Sequence, residues 1–479
     1  MASIKLPAVI IVLLLSVACQ NDSAEPIAGP AAVLLSSASI AIRVGDTISL
    51  QATPVDARGQ PLAYNKLDWT TNDSTIAIVD STGLIYGRSP GVTRISAHVG
   101  VTHGTAKVEV SNHESGWRGI SIGCGLWSDF STYCWFWPDQ SGQTTVPVQL
   151  PGAQEFHLVR SGQGHRCALT TAGAAYCWGS NQAGQLGDGT TADHSMPGGV
   201  AGGLTFDSIA VGILHTCGLT HAREIYCWGA GASGQLGIGA VPELCHGIPC
   251  SPVPIRVSGN HRFRAVAAGG DDRIGFGAVG RGITCGISEL GLAYCWGDNE
   301  YGELGDGTHV SRSTPTKVAS DLTFESIAVG AAHVCGLSQA RVFCWGANDR
   351  GQLGTVLPNE PRYHCLSGDI LESCTSVPVL VSSNEAFTGV TTNRSHTCSV
   401  NRFGAAFCWG SNRFGQVGNG QTTTNYPYGV SNPQRVVGSR TFLELSTGVS
   451  TTCGITPDRS AYCWGNGSSM PLRVTDPGA

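Results

Sequence analysis

The stretch CALTTAGAAYCWGSNQAGQLGDGT at residues 167–190 gives the pattern for most of this chain. It returns as CGLTHAREIYCWGAGASGQLGIG at 217–239 and as CGISELGLAYCWGDNEYGELGDGT at 285–308. Further copies begin at residues 335, 398 and 453, and a degenerate first copy, CGLWSDFSTYCWFW, begins at residue 124. Seven copies of one short motif predict a repeat architecture in which neighbouring units stack and bury a shared core.

Each copy predicts a β-hairpin closed by a disulfide. If Cys167 and Cys177 face each other across antiparallel strands, residues 171–173 form a three-residue loop with Gly at its left-handed position. The fifth copy is shorter by one residue and leaves the two-residue loop 339–340. Directly opposed Cβ atoms lie about 4.5–5.5 Å apart, which a disulfide spans with modest adjustment. Structural zinc sites instead use Cys pairs two to four residues apart.

Two more strands accompany each hairpin. One reads Phe-x-Ser-Ile-Ala-Val-Gly, as at 206–212 and 324–330. A strand with the pattern Pro-x-x-Val precedes it in the chain, as residues 315–318 precede 324–330. Four strands per repeat indicate a blade of a β-propeller. The last such segment, 471–474, has no repeat after it, so we expect it to join the first blade and close the ring, which removes an exposed sheet edge.

Composition supports an all-β, exported protein. The chain of 479 residues has 65 Gly and 13% charged residues, which suits short strands and turns better than helices. Its formal charge of −6 argues against nucleic acid, whose binding depends on Lys and Arg. Nineteen Cys indicate an oxidising compartment.

The N-terminus predicts export. Residues 1–19 have the apolar stretch and small residues of a signal peptide, and that stretch is too short to span a bilayer. The segment ending at Cys19 resembles the lipobox of bacterial lipoproteins, although Ser16 stands where Leu is usual. The resemblance implies a lipid-anchored Cys19 in the outer membrane or at the cell surface; periplasmic location or free secretion is the alternative. Residues 20–30 read as a flexible tether.

Residues 27–112 form a separate region without Cys. Short β-rich runs such as IAIRV, LIYGR and TRISAHV predict about seven strands, the pattern of a β-sandwich. The region resembles a bacterial Ig-like domain of group 2, a family of stalks and adhesive modules, and we expect a spacer with Trp69 in its core. The resemblance rests on Gly45, Leu50, Ala52, Asp56, Gly59, Trp69, Val79, Asp80, Gly83, Gly87, Gly91, Ile95, Val108 and Val110.

Residues 113–479 resemble the regulator of chromosome condensation repeats, whose hallmark is G-x-x-H-x-x-x-L followed by W-G-x-N-x-x-G-Q-L-G. The resemblance implies a seven-bladed propeller, in agreement with the seven copies counted. We therefore predict an all-β chain, an Ig-like β-sandwich followed by a seven-bladed propeller with one hairpin disulfide per blade. The nine predicted disulfides are Cys124–Cys134, Cys167–Cys177, Cys217–Cys227, Cys245–Cys250, Cys285–Cys295, Cys335–Cys344, Cys365–Cys374, Cys398–Cys408 and Cys453–Cys463.

Candidate chemical sites are few. Four copies place a His two residues before the first Cys, at His165, His215, His333 and His396, but three blades lack it. We expect each His to be held by backbone hydrogen bonds within its own blade, with no metal site. The Gly-Asp-Gly-Thr stretches at 187–190 and 305–308 lack the alternating carboxylates of a calcium loop. No catalytic constellation and no cofactor site are predicted.

Two insertions are the most informative departures from the repeat. They occupy the same repeat position, 240–251 and 355–376, and each encloses a Cys pair, so we expect two rigid lobes on one face. Tolerated surface variation is the alternative interpretation, here and for the Gly-rich insertion at 269–282. The residues predicted to bind a partner are Leu244, His246, Ile248, Tyr363, His364, Leu366 and Ile370.

The sequence thus favours a monomeric interaction or adhesion module, held at the membrane only through its lipid anchor, that binds a protein or glycan. The family resemblance also permits a guanine-nucleotide exchange factor, which export argues against, and a secreted enzyme inhibitor. An enzyme on a propeller face is a further alternative, because propellers host many activities.

Overall fold

The computed structural model describes residues 30–44, 47–64, 66–111, 116–135, 147–151, 154–241, 243–271, 281–358, 364–367, 370–425 and 428–476. These residues fall into two compact units, one within Met1–His113 and one within Glu114–Ala479. All the regular elements that the structure describes are β-strands, as the composition predicts.

The first unit is an Ig-like sandwich, with nine strands among its described residues. They are β1 (Ala32–Leu35), β2 (Ser39–Arg43), β3 (Thr47–Ser49), β4 (Ala52–Val55), β5 (Asp68–Thr71), β6 (Ala77–Val79), β7 (Leu84–Gly87), β8 (Gly91–Val99) and β9 (Thr102–Ser111). One sheet has the order β2-β9-β8-β5, a second has the order β3-β7-β6, and β1 pairs with β4. The prediction of about seven strands was therefore too low. Trp69 is half-buried and packs against the core rather than lying within it.

The second unit is a ring of seven blades, each an antiparallel sheet. Blade one has β10 (Trp117–Ser121), β11 (Cys124–Trp127), β12 (Thr132–Cys134) and β13 (Val148–Gln149); blade two has β14 (Phe156–Ser161), β15 (His165–Thr170), β16 (Ala175–Gly179) and β17 (His194–Gly199). Blade three has β18 (Phe206–Val211), β19 (His215–Thr220), β20 (Ile225–Ala230), β21 (Glu243–Cys245) and β22 (Ile248–Arg256); blade four has β23 (Phe263–Asp271), β24 (Arg281–Ser288), β25 (Ala293–Gly297) and β26 (Arg312–Lys317).

The remaining blades follow the same plan. Blade five has β27 (Ser326–Val329), β28 (His333–Ser338), β29 (Arg341–Ala347), β30 (His364–Ser367) and β31 (Ile370–Leu380). Blade six has β32 (Phe387–Asn393), β33 (His396–Asn401), β34 (Ala406–Ser411) and β35 (Gly429–Arg435). Blade seven has β36 (Glu444–Thr447), β37 (Thr451–Ile455), β38 (Ala461–Gly465) and β39 (Ser468–Arg473).

The hairpin registers agree with the Cys spacing. Cys167 lies opposite Cys177, and Thr170 N donates to Ala174 O at 3.0 Å across a loop in which Gly173 has φ +81°. In blade five, the two-residue loop at 339–340 has positive φ at both positions, the geometry that matches the right-handed twist of the two strands. All seven hairpins carry a disulfide between their two central strands.

The ring does not close in the way the sequence suggested. The Pro-x-x-Val strand belongs to the blade before it: β39 pairs with β38 of blade seven, with Leu472 opposite Cys463, and does not join blade one. Every blade is therefore one contiguous repeat that begins at its inner strand. Closure comes from packing between blades seven and one, where Trp117 N donates to Arg459 O at 2.8 Å and Ile120 N to Glu444 Oε1 at 2.9 Å.

Candidate functional site

The first lobe is a hairpin that adds a fifth strand to blade three. Strand β21 pairs with the start of β22, and the turn between them, His246-Gly247, has positive φ at both residues. The Cys245–Cys250 disulfide is buried at its base. The His246 ring Nδ1 lies 3.1 Å from Gln182 O of blade two, so the lobe is fastened to the neighbouring blade as well as to its own.

The second lobe has the same construction in blade five. Strand β30 pairs with β31, and the Cys365–Cys374 disulfide is buried against Tyr301 of blade four. Cys365 Sγ also lies 3.7 Å from His309 Nδ1 of blade four. Each lobe thus contacts the blade that precedes its own, and the two occupy equivalent positions in the ring.

The predicted binding residues divide into two groups. In the first lobe, the side chain of Leu244 is 70% exposed, His246 is exposed and Ile248 is half-buried. In the second lobe, Tyr363 lies outside the described residues, and the structure describes only the backbone of His364, Leu366 and Ile370 in β30 and β31. Their role in binding stays a prediction.

The repeat histidines are buried between blades, and the prediction of partners within their own blade is wrong. His165 Nε2 lies 2.8 Å from Thr216 Oγ1 of the next blade, and Thr216 Oγ1 donates to Gln185 O at 2.9 Å. Thr216 uses its only hydroxyl proton in the hydrogen bond to Gln185 O, so the proton between His165 and Thr216 belongs to the imidazole, which donates from Nε2. The same relay recurs as His215–Thr284–Gln235, His333–Thr397–Gln352 and His396–Thr452–Gln416.

The carbonyl group of each Gly-Gln-Leu-Gly segment is the centre of this junction. Besides the threonine hydroxyl, Gln235 O accepts a hydrogen bond from Trp296 Nε1 of the next blade at 2.9 Å. The repeat tryptophans at four other junctions donate likewise, at Trp228, Trp345, Trp409 and Trp464. These tryptophans are fully buried, so they hold blades together rather than present a binding platform.

One junction shows that histidine and threonine act as a pair. Blade four has Ile283 at the position of the repeat His, and blade five has Val334 at the position of the relay Thr. Both side chains are buried in one apolar cluster, so the polar relay is replaced as a unit and no single polar partner is left behind. Glu303 takes the place of Gln here, and its burial together with the nearby Asp298 raises the pKa of Glu303 to about 8.

Metal ligands converge in one place among the described residues. His309, Cys365 and Cys374 lie within ligand distance of one another, but the two Cys are bonded to each other and offer no thiolate. The Gly-Asp-Gly-Thr loops are ordinary turns, since Asp188 Oδ1 accepts hydrogen bonds from the N–H and hydroxyl of Thr190 at 2.9 and 2.8 Å.

The sequence analysis missed a group of charged residues around the ring axis. The inner strands surround a cavity of about 620 Å³ whose lining includes Arg160, Arg166, Arg394 and Glu444. The signal lay in the repeats themselves. Arg160 stands opposite the first Cys of its blade, where other blades have Ala, Ser or Thr. Arg166 stands where blades three, four, six and seven have the relay threonine.

Within the described part of the chain, no helix has the length and hydrophobicity that crossing a membrane requires.

A ring of contiguous four-stranded repeats, joined by Gly-Gln-Leu-Gly carbonyls, defines a tandem-repeat propeller, a protein-interaction fold. The sequence profile of the regulator of chromosome condensation (RCC1) repeat matches residues 172–219, 224–271, 291–337, 339–400 and 404–455, and a second RCC1 profile matches 157–185. The chain belongs to this family. The profile of the bacterial Ig-like domain (group 2) matches residues 31–110, and this domain and the many disulfides are compatible with an extracellular location.

Relatives of the propeller occur both among characterised proteins and among solved structures. The chain is 28% identical over 377 residues to the ultraviolet-B receptor UVR8 of Arabidopsis thaliana, which covers 74% of this chain and 67% of that protein. It is 28% identical over 207 residues to the probable E3 ubiquitin-protein ligase HERC4 of Homo sapiens, covering 40% of this chain and only 18% of that protein. Among solved structures, Prp20p from Saccharomyces cerevisiae aligns with a TM-score of 0.58 at 18% identity, over 76% of this chain and 88% of that one. Human WBSCR16 aligns with a TM-score of 0.57 at 20% identity, over 70% and 85%.

Proposed function

We propose that this protein is an exported, membrane-tethered interaction module that binds a protein or glycan through the lobes of its propeller. The observation that carries the proposal is the construction of the lobes. Each is closed by a buried disulfide and fastened to a second blade, so its surface is fixed before a partner arrives. A surface ordered in advance loses less conformational entropy when it binds.

The cysteine pattern supports export and an anchor. Eighteen of the nineteen Cys are joined in nine disulfides, which reducing compartments do not sustain. Cys19, which lies outside the described residues, is the one left over, as expected if it carries a lipid. The Ig-like domain then serves as a spacer between anchor and propeller.

We assign the first point of contact to Leu244, the exposed leucine of the first lobe. An apolar side chain held on a rigid hairpin loses little entropy on burial and gains roughly 25 cal/mol per Å² of apolar surface removed from water. We propose that the protein binds its partner as a monomer and does not catalyse a reaction. An exchange-factor role, which the family resemblance also permits, finds support only in likeness of fold.

Substituting Leu244→Asp is expected to reduce partner capture at least tenfold, because a carboxylate in an apolar contact is desolvated without a counter-charge. The full mature protein is immobilised, and surface extracts of its native cells, with and without protease treatment, are passed over it. The matched control is Leu290→Asp. Leu290 is 80% exposed and lies in the hairpin turn of blade four, at the end of the blade strands opposite to the lobes. Equal capture by both variants and the wild type would remove the lobe from the proposal.

A further inference from the structure

The axial cavity has two unlike walls. The inner strands of blades three, four and five contribute only small and apolar residues, in the stretches 209–213, 266–270 and 327–330. The opposite wall, from blades six, seven, one and two, also has apolar residues such as Ile122, Leu445 and Val449, but it carries all the polar and charged side chains of the lining. It contributes Ser121, Arg160, Ser161, Arg166, Thr391, Thr392, Asn393, Arg394, Glu444, Ser446 and Thr447.

Positive charge predominates on the polar wall. Three arginines and one glutamate among the described lining residues leave a net charge of two positive units (3 − 1 = 2). Glu444 is already engaged, because its Oε1 accepts the Ile120 N–H at 2.9 Å and its charge acts on Arg160. Glu444 therefore neutralises part of the positive charge on this wall.

Arg166 is a cavity-lining arginine with a buried donor that is not used within the described residues. Its Nε is buried, and among the described residues no hydrogen-bond acceptor or carboxylate contacts that atom. Burial lowers the pKa of the Arg166 guanidinium, and no described acidic group offsets this effect. A buried donor without a partner costs about 1–3 kcal/mol, more when it is charged. Arg166 itself lines the cavity, so its charge attracts an anion that enters there.

The internal repeats show that these arginines are departures rather than parts of the blade plan. At the position of Arg160, three blades have alanine, at Ala210, Ala267 and Ala328. The position of Arg166 is held by the relay threonine or by Val334 in blades three to seven. The ring therefore forms without a guanidinium at either position, and another reason for the two arginines is needed.

We propose that the axial cavity binds a small carboxylic acid with a short apolar body. Its carboxylate is held by Arg160 and Arg166 of blade two, and its body lies along the apolar wall of blades three to five. Arginine suits this role because its planar guanidinium donates two parallel hydrogen bonds to a carboxylate. Small-molecule sites combine apolar surface with polar groups that fix the orientation of the ligand.

The test is calorimetric titration of the full mature protein with octanoate and phenylacetate, with octanol as the apolar probe and sulfate as the anionic one. We expect saturable binding of both carboxylates, and at least tenfold weaker binding of octanol and sulfate. Arg160→Gln and Arg166→Gln should each weaken octanoate binding at least tenfold. The matched control is Arg402→Gln, which removes a surface arginine from the hairpin turn of blade six and should change nothing.

A variant that gains affinity guards against misfolding as an explanation. Glu444→Gln keeps an oxygen that accepts the Ile120 N–H but removes the negative charge, so octanoate binding should tighten severalfold. The proposal is overturned if no carboxylate binds saturably, if sulfate binds as tightly as octanoate, or if Arg402→Gln weakens binding as much as the cavity variants do.

Discussion

Lowering the pH from 7.5 to 5.0 is expected to remove about 2 kcal/mol of propeller stability for each of the four buried histidines. Burial lowers the pKa of His165 and His396 to about 3, and that of His215 and His333 to about 4. In the unfolded chain these histidines bind protons below about pH 6.5. In the folded chain their imidazoles stay neutral down to about pH 4. Stability is therefore complete above pH 6.5 and falls with pH until the folded histidines protonate near pH 3–4.

The geometry gives the reason that a proton is not accepted. Each imidazole donates from Nε2 to a threonine, and its Nδ1 is buried without a partner among the described residues. Protonation would place a charge and a second donor in that buried pocket. Glu303 acts with the opposite sign, because its raised pKa makes the folded state bind a proton more tightly, so part of the total loss is offset.

Glu303 is present in both the wild type and a histidine variant, so its contribution to the pH dependence cancels when the two proteins are compared. In His333→Gln, the amide can still donate to Thr397 but cannot protonate in this range, so its pH-dependent loss should be smaller than wild type by about 2 kcal/mol. The measurement is denaturant unfolding at pH 7.5 and 5.0 with the disulfides intact. The control is His221→Gln, at a side chain 90% exposed, which should keep the wild-type profile. Identical pH profiles for all three proteins would show that the buried histidines protonate freely in the fold.

Gly237→Ala is expected to lower the free energy of unfolding by about 2–5 kcal/mol, because the added Cβ disturbs a contact between two blades. Gly237 has φ +69°, which costs an L-residue roughly 1–2 kcal/mol. A Cβ there would also lie 2.6 Å from Trp296 Nε1 of the next blade. The indole must move away, and its hydrogen bond to Gln235 O is then lost, at about 1–3 kcal/mol for a buried donor.

The same loop offers a matched control. Gly239 has φ +81°, but a Cβ at this position meets nothing within 4 Å. Gly239→Ala therefore carries the backbone strain alone, about 1–2 kcal/mol. Denaturant unfolding of both variants measures the difference that the junction makes. If the two substitutions cost the same, the contact between Gly-Gln-Leu-Gly and the next tryptophan does not stabilise the ring.

Local features of the fold were predictable because they depend on short-range spacing. The distance between two Cys fixed both the hairpin register and the loop length, so the loops at 171–173 and 339–340 were placed correctly. The assignment of Pro471 to blade one failed because sequence order alone does not say whether a strand joins the hairpin before it or after it. Where each blade begins and ends in the sequence depends on which hairpin the proline-containing strand pairs with, and that pairing is seen only in the structure.

Contacts between blades were beyond the reach of the sequence reasoning for a related reason. His165 and Thr216 are 51 residues apart, and nothing in a single repeat shows that the partner of its histidine lies in the next one. The paired loss of His and Thr at Ile283 and Val334 was nevertheless visible in the aligned copies. So was Arg160, which stands where other copies have small residues; departures from an internal repeat were the neglected signal.

The central claim is that this propeller is folded with closed hairpin disulfides outside the reducing cytosol and is anchored through Cys19. Free thiols are alkylated in intact native cells and during lysis, and the purified protein is then analysed by mass spectrometry without reduction. We predict no alkylation at any of the eighteen paired cysteines and a mature chain that begins with an acylated Cys19. Alkylated hairpin cysteines in a chain that retains residues 1–18 would contradict the account.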